Sequence, residues 1–287
     1  MRFDLQAHST CSDGALPPQE VAERAAAAGV ELFSLTDHDT VDGVEAARAV
    51  ARARGMRFSP GAEISAVDGG YEELHICGYE IDVSSPELIA ALEDWRADRG
   101  RRIDAMVDRL RELGFALDTG PIEERRAAGL PIGRPHLADS VLTHPGNRHR
   151  LESEAITGKN EFFPKYIVPG APGFVARTRP TVSDAIDLIH TAGGVAIWAH
   201  PFWDVSDPDE VLGTIGRFAA HGLDGLEAFY PTHTEEHTAI LCDAAAGRGW
   251  LTTGSTDFHS PTHERFSHFC GFELYGREPN LGPIGAG

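Results

Sequence analysis

Long apolar runs are missing from the sequence. No stretch approaches the roughly 20 apolar residues that a helix needs to cross a membrane. The first residues, "MRFDLQ", also lack the apolar region of a secretory signal peptide. We therefore expect a cytoplasmic protein without a membrane partner.

Cysteine is scarce, and its spacing excludes two kinds of small structural framework. The cysteines are Cys11, Cys77, Cys242 and Cys270, which lie far apart and form no C-x-x-C pair. Zinc ribbons and disulfide-rich domains need closely spaced cysteines, so neither is predicted. This pattern is typical of a protein in a reducing compartment.

Positive charge is scarce as well. The 287 residues contain 25 lysines and arginines against 44 aspartates and glutamates, a formal net charge of -19. A surface of this charge repels long nucleic acids, which we therefore exclude as partners. Small anions can still bind where metal ions reverse the local field. The composition gives no prediction of the oligomeric state.

Short β-rich runs alternate with alanine-rich helical patterns. Runs such as "VELFSL", "GVAIWA" and "LDGLEAFY" have strand character, and most are followed by a helical stretch. One such helix, "PPQEVAERAAAAG", has proline near its start and glycine just past its end. Alternation of this kind predicts an α/β fold with a parallel sheet or barrel.

The alternation stops between about residues 84 and 170. There "SPELIAALEDWRADRGRRIDAMVDRLRELG" predicts one or two amphipathic helices. We therefore predict a barrel formed by residues 1–82 and 171–275, with a helical insertion at 83–170 that caps the mouth of the active site. The last residues, 276–287, are rich in glycine and proline and are expected to form a flexible tail.

Histidines and carboxylates lie at the ends of the predicted strands. Individually, such a histidine is more often a hydrogen-bonded core or loop residue, and such an aspartate a helix N-cap. In an α/β barrel, however, the carboxyl ends of the strands converge on one face. Imidazole and carboxylate groups bind zinc, manganese and iron, which can activate water. The residues concerned are His8, Asp37, His38, Asp39, Glu63, His200, Asp257 and His259, and His75 opens a further strand.

A family resemblance follows from these motifs. In this order, "DLQAHSTCSDG", "LTDHDT", "GAEIS", "LHICGY", "WAHP" and "STDFH" resemble the polymerase and histidinol phosphatase (PHP) family of metal-dependent phosphoesterases. The resemblance covers about residues 1–82 and 171–275. It is nearest to the branch that hydrolyses 3',5'-bisphosphorylated nucleosides and short 5'-phosphorylated oligonucleotides. The resemblance implies a distorted, seven-stranded (β/α) TIM-like barrel.

The same resemblance implies two or three divalent metal ions, of manganese, zinc or iron. By motif position, one ion would take Gln6, His8, Glu63 and Asp257, a second Glu63, His75 and His200, and a third Asp13, His38 and His259.

Gln6 departs from the family pattern. The first family motif is D-x-H-x-H, whereas this chain has D-L-Q-A-H, so Gln6 replaces a ligand histidine. An amide oxygen can coordinate a hard ion but binds zinc or iron less well than imidazole. Three alternatives stay open: Gln6 coordinates weakly, a water takes its place, or the protein works with fewer ions.

Phosphate-binding and catalytic roles are also implied by the resemblance. Arg134 and His136 in "GRPHLA" and Lys165 in "FPKYIVPG" match segments that contact phosphate in the nucleotide branch, although the two basic residues could equally be solvated surface charges. The implied reaction is in-line attack on phosphorus by a metal-bound hydroxide. Asp257 would take part at the metal, and His200, His136 or a water would protonate the leaving group.

Four further residues have both a functional and a structural interpretation. Phe202, Trp203 and Tyr230 could stack on a nucleotide base or simply pack at the rim of the site. Glu227 could orient a ligand histidine or be an ordinary strand-end carboxylate.

Two alternative functions stay open beside the nucleotide phosphoesterase. One is a histidinol-phosphate phosphatase with the same metal chemistry, and the other is a catalytically weak module that binds metal or nucleotide. The match of "SDGALPP" and "PKYIVPGAPGFV" favours the nucleotide branch, whereas Gln6 keeps the weak module open.

Overall fold

The computed structural model describes residues 1–128 and 132–286. The chain divides into two compact units. The first comprises Met1–Glu93 and the described part of Arg179–Gly287, and the second comprises the described part of Asp94–Thr178. In the described residues, no helix is long and apolar enough to span a bilayer.

A small parallel sheet begins the first unit. Its strands, in spatial order, are β1 (Phe3–Asp4), β2 (Leu32–Phe33) and β3 (Arg57–Phe58). Helices α1 (Pro18–Ala27) and α2 (Val44–Ala53) supply the two connections, and both place alanines in the core that they share with β2. This part of the chain has the predicted strand and helix alternation.

A second sheet contains five strands and mixes two directions. The strands follow chain order: β4 (Gly61–Asp68), β5 (Tyr71–Tyr79), β6 (Val195–Trp198), β7 (Gly225–Phe229) and β8 (Leu251–Gly254). The last three are parallel, whereas β5 is antiparallel to both of its neighbours.

The antiparallel pairs differ from the predicted parallel arrangement. The reason is the short Gly69–Gly70 connection, because two residues can form a hairpin turn but cannot cross back over a sheet. The fold is therefore mixed α/β. The two sheets are not joined by a continuous ladder. They are linked by isolated bridges, which pair Ala7 with Phe258 and His38 with Glu63.

The remaining helices of the first unit pack on the second sheet or beside it. They are α8 (Val182–Thr191), α9 (Pro201–Asp204), α10 (Pro208–Ala219) and α11 (Glu235–Ala246). The short helix α9 begins directly after His200 and therefore lies at the end of β6.

The second unit is helical and has its own core. It contains most of α3 (Pro86–Glu112), followed by α4 (Gly120–Ala127), α5 (Arg134–Leu142), α6 (Arg148–Ser153), α7 (Lys159–Phe162), a 3-10 turn at Pro145–Asn147 and a π-helical turn at Phe163–Ile167. Phe115, Phe162 and Tyr166 meet at the centre of this core, with ring centroids 4.8 to 5.8 Å apart. A separate aromatic core of this kind explains why the segment forms a compact unit.

The C-terminal segment is packed, which differs from the flexible tail predicted from its glycine and proline content. Ile284 is buried, at 1% exposure, in a core cluster to which both sheets contribute. The Gly285 N–H donates to Glu80 Oε1 at 2.7 Å, and the carbonyl of Asn280 accepts from the Thr252 N–H at 2.8 Å. The composition predicts a flexible tail because it does not reveal that Ile284, one apolar residue, packs into the core.

The packing of Ile284 is testable by truncating its side chain. Ile284→Ala should lower the free energy of unfolding by about 2–4 kcal/mol, as is typical of a buried aliphatic residue. The matched control, Leu212→Ala at a 43% exposed position, should change it by at most about 0.5 kcal/mol. Urea denaturation followed by circular dichroism measures both, and equal midpoints would show that the tail is not packed in solution.

Candidate metal centre

Glu63, in β4, lies at the middle of a cluster of four histidines in the first unit. Three of them follow β1, β2 and β6, and the fourth, His75, lies within β5. Its Oε2 is 3.1 Å from His8 Nε2 and 3.3 Å from His38 Nδ1. Its Oε1 is 3.0 Å from His75 Nδ1 and 3.2 Å from His200 Nε2. One buried carboxylate therefore has two imidazoles on each oxygen, which is the arrangement of a bridging ligand.

Asp257 borders this cluster and is held on both oxygens. Its Oδ1 is 2.9 Å from His8 Nε2 and accepts a hydrogen bond from Gln6 Nε2 at 3.3 Å. Its Oδ2 accepts a hydrogen bond from Tyr230 Oη at 2.9 Å. The carboxylate has little freedom to rotate as a result.

Asp13 and His259 complete the predicted metal ligands. Asp13 is 3.7 Å from His8 Nδ1, 3.8 Å from His38 Nε2 and 3.6 Å from His259 Nε2. The ring of His8 is stacked between those of His38 and His259, with centroids 4.5 and 4.3 Å away. Asp13 is 44% exposed and forms the outer edge of the cluster.

The unsatisfied atoms of the cluster provide a test of whether divalent ions fit. Several buried polar atoms approach one another closely yet have no hydrogen-bond partner in the described chain, a costly state for buried groups. A cation coordinated by these nitrogens and oxygens would satisfy them, so the side chains present fit divalent metal ions. The atoms are Gln6 Oε1, His8 Nε2, His38 Nδ1 and Glu63 Oε2.

Possible ligand atoms gather in three groups, each within 4.8 Å. They are His8, Glu63 and Asp257; His38, Glu63 and His75; and His8, Asp13, His38 and His259. His200 lies outside these groups but contacts both Glu63 and His75. The structure thus brings together every side chain that the sequence predicts as a ligand.

Electrostatics favour ionised carboxylates at this site. Burial raises the pKa of Glu63, but the neighbouring charges of His38 and His75 outweigh burial and hold it well below its usual value. Burial lowers the pKa of His8, but contacts with Asp257 and Glu63 outweigh burial and raise it. In the absence of metal His8 therefore holds a proton, which a bound cation would displace.

The loop after His8 is shaped by a second carboxylate. Asp37 accepts hydrogen bonds from the Ser9 N–H and Oγ, both at 2.7 Å, and from Ser12 Oγ at 2.6 Å. A Cβ atom on Gly14 would lie 2.2 Å from the carbonyl oxygen of His8, so the loop needs glycine there. Asp37 therefore supports the loop that carries His8 and Asp13.

His200 is positioned through its backbone as well as its ring. The residue adopts a left-handed conformation, with φ 32°, and its N–H donates to Glu227 Oε2 at 2.8 Å. Burial raises the pKa of Glu227 to about 8, and Ser255 Oγ donates to its other oxygen. Glu227 thus orients a predicted ligand histidine, and it does so by binding the main-chain N–H of His200 and not the ring.

Asp204 is a functional candidate that the sequence analysis missed. Its Oδ2 lies 3.6 Å from His200 Nδ1, on the opposite side of the ring from Glu63. The sequence feature that could have identified Asp204 is its position four residues after His200. That spacing places the two residues on the same face of a helical turn. A carboxylate behind a ligand histidine commonly fixes the orientation of the ring.

The predicted phosphate-binding residues belong to the helical unit. Arg134 is the first residue of α5, and His136 Nδ1 accepts a hydrogen bond from the Gly133 N–H at 3.1 Å. Lys165 Nζ pairs with Glu154 Oε2 at 2.8 Å. Their part in substrate binding stays a prediction.

Removal of the Tyr230 hydroxyl tests the support of Asp257. Tyr230→Phe should weaken divalent metal binding by about 10- to 100-fold, because loss of a hydrogen bond behind a ligand has effects of this size. Titration of chelator-treated protein with Mn²⁺ by calorimetry measures the change. The matched control is Tyr275→Phe, whose hydroxyl donates to the His233 carbonyl. Equal affinities for wild type and Tyr230→Phe would show that Asp257 holds its position without the hydroxyl.

Comparisons with known proteins show the family of the chain. The PHP domain family model matches residues 4–94. A 3',5'-nucleoside bisphosphate phosphatase from Chromobacterium violaceum is 35% identical over 263 residues, covering 90% of this chain and 87% of the relative. The 5'-3' exoribonuclease Rnm of Escherichia coli is 31% identical over 264 residues, covering 90% and 85%.

Two solved structures have a fold similar to that of this chain. A Chromobacterium violaceum protein described as an amidohydrolase with bound sulfate and no metal has a TM-score of 0.73 at 33% identity, covering 94% of this chain and 91% of its own. A Bifidobacterium adolescentis protein assigned as a metal-dependent phosphoesterase has a TM-score of 0.70 at 26% identity, covering 92% and 90%. The chain belongs to the PHP family of phosphoesterases and is a hydrolase, which confirms the resemblance in its motifs.

Proposed function

We propose that the protein removes phosphate from a small nucleotide, either a nucleoside 3',5'-bisphosphate or a short 5'-phosphorylated oligonucleotide, with divalent metal ions at the cluster around Glu63. The observation that carries the proposal is the buried Glu63 carboxylate in contact with four histidines. The names of the nucleotide-directed relatives support this substrate class over histidinol phosphate. The net charge of -19 supports short substrates over long nucleic acids.

The proposed ligand sets are those predicted from the motifs. When bound, divalent ions at such a centre activate water and neutralise charge on phosphoryl oxygens. Asp257, fixed by Gln6 and Tyr230, would keep its Oδ1 aimed at the same point as His8 Nε2. His200 has Nε2 at Glu63 and Nδ1 beside Asp204. Since both ring nitrogens are engaged, we assign His200 as a ligand rather than as the acid.

His136 is the better candidate for protonating the leaving group. Its Nδ1 accepts from the Gly133 N–H, so the neutral ring carries its proton on Nε2, where it can donate. Burial and the charge of Arg125 lower the pKa of His136. We also assign Arg134 and Lys165 to the phosphate groups of the substrate.

The proposed fold of the first unit is the distorted barrel of the family. Single bridges already pair Ala7 with Phe258 and His38 with Glu63, at the ends of strands in different sheets. These bridges support a ring of strands whose ladders are interrupted.

We assign Gln6 as a weak oxygen ligand and manganese as the preferred ion. The amide nitrogen of Gln6 donates to Asp257, and the buried Oε1 has no hydrogen-bond partner among the described residues. With Glu63 and Asp257, this gives three oxygen donors and one imidazole, from His8. Oxygen-rich sets suit harder ions such as manganese, whereas zinc prefers nitrogen and sulfur.

Restoring the imidazole tests this assignment. Gln6→His should shift the ratio of zinc to manganese affinity toward zinc by about tenfold or more, equivalent to at least about 1.4 kcal/mol. Competition with a chromophoric chelator measures both affinities without any assay of turnover. Gln19→His, on the exposed face of α1, is the matched control. An unchanged ratio would mean that the side chain at position 6 does not contact the ion.

Phosphate release from adenosine 3',5'-bisphosphate tests the function itself. Chelator-treated protein should be inactive and should recover on addition of Mn²⁺. Glu63→Gln should reduce kcat/KM by at least about 100-fold, because loss of a ligand exceeds the loss of a supporting hydrogen bond. The exposed Glu236→Gln is the control. Release from histidinol phosphate alone would contradict the proposal, and nucleotide binding without turnover would indicate a catalytically weak module.

A further inference from the structure

Trp203 is exposed beside the metal centre. It is the third residue of the short helix α9 and follows His200 by three positions. Its side chain is 47% exposed, whereas Trp95 and Trp198 are buried at 7% and 0%. A tryptophan has a large flat apolar face, so an exposed one beside a reactive centre is a candidate for contact with a ligand.

The indole ring is held by its neighbours. Phe266 lies 5.6 Å away, centroid to centroid, with an interplanar angle of 67°, and Tyr230 lies 6.4 Å away at 68°. The guanidinium of Arg265 is 6.0 Å from the centre of the ring. These edge contacts fix the orientation of the ring while almost half of its surface stays open to solvent.

Each of these aromatic neighbours also contacts the metal centre. Tyr230 donates its hydroxyl to Asp257, and the ring of Phe266 lies 5.9 Å from that of His259. One side chain, Tyr230, therefore lies between Trp203 and Asp257. Another, Phe266, lies between Trp203 and His259. A nucleotide with its phosphate at the centre could reach the indole with its base.

Other aromatic side chains near the centre are already engaged. The ring of Phe202 is stacked on that of His237, with centroids 4.0 Å apart and planes 8° apart. Tyr230 is 2% exposed and its hydroxyl is bound to Asp257. Of the three aromatic residues that the sequence singles out, Trp203 has the open surface that stacking requires.

We propose that Trp203 is the platform on which the base of the substrate stacks, with Arg265 beside it. The inference rests on the proposed nucleotide phosphoesterase function and adds a subsite to it. Stacking on an aromatic ring tolerates any base, because every base has a π-face. Arg265 places a positive charge next to an anionic substrate on an otherwise acidic protein. The subsite therefore selects nucleotides over phosphoesters without a base, and discriminates little between bases.

The test compares two substrates with the same phosphates. One is adenosine 3',5'-bisphosphate, and the other is 1-deoxyribose 3,5-bisphosphate, which lacks the base. Trp203→Ala should reduce kcat/KM for the nucleotide by about 5- to 100-fold, the range expected for one stacked base. It should leave kcat/KM for the analogue unchanged, and Trp203→Phe should retain most of the wild-type value because it keeps an aromatic face.

A binding measurement separates this inference from the proposed function. Adenosine 3',5'-bisphosphate should quench the tryptophan fluorescence of the wild type, and Trp203→Phe should lose this quenching while still binding the nucleotide in a calorimetric titration. Equal losses on both substrates, or wild-type quenching that persists in Trp203→Phe, would overturn the stacking role. If the wild type hydrolyses neither substrate, the proposed function fails, and the fluorescence titration still decides whether Trp203 binds a base.

Discussion

The burial of the Glu63 carboxylate among four histidines is the interaction on which the site depends. A buried charge is costly unless positive groups and hydrogen bonds compensate it. Here the compensation comes from His8, His38 and His200, which follow β1, β2 and β6, and from His75, which lies within β5. These strands must therefore stay in register for the charge to be tolerated. Divalent cations can supply the same compensation, so the requirement that stabilises the fold also creates the metal centre.

Backbone strain is concentrated around the same centre. Asp39, His200 and Asp257 all have positive φ values, of 53°, 32° and 57°. Such conformations cost free energy in residues other than glycine and persist where surrounding contacts enforce them. Glu227 provides such a contact by binding the His200 N–H, and Asp39 accepts from the Ser65 N–H. The strained residues turn the chain sharply at the strand ends and direct side chains inward.

Much of the site could be predicted from sequence because most candidate ligands lie in or just after a recognisable strand, although His75 lies in the middle of β5 and does not open it. The antiparallel pairing of β5 was missed, since alternating strands and helices conceal a two-residue Gly69–Gly70 turn. Asp204 and the hydroxyl of Tyr230 were not assigned supporting roles, because their contacts depend on side-chain geometry. The packed tail depends on Ile284, one apolar residue within a segment whose composition favours disorder.

The contacts around Gln6 bear on whether the proposed metal site is altered or has been lost. If the site had lost its function, mutations would be free to accumulate in the residues that support the ligands. The supporting contacts are instead complete: Asp37 holds the loop through Ser9 and Ser12, and Tyr230 fixes the carboxylate that Gln6 also contacts. The amide of Gln6 has two roles: its nitrogen donates to Asp257, and its oxygen has no hydrogen-bond partner among the described residues. An imidazole at this position would offer nitrogen atoms only. These contacts support the proposed change in the preferred ion over the loss of the site.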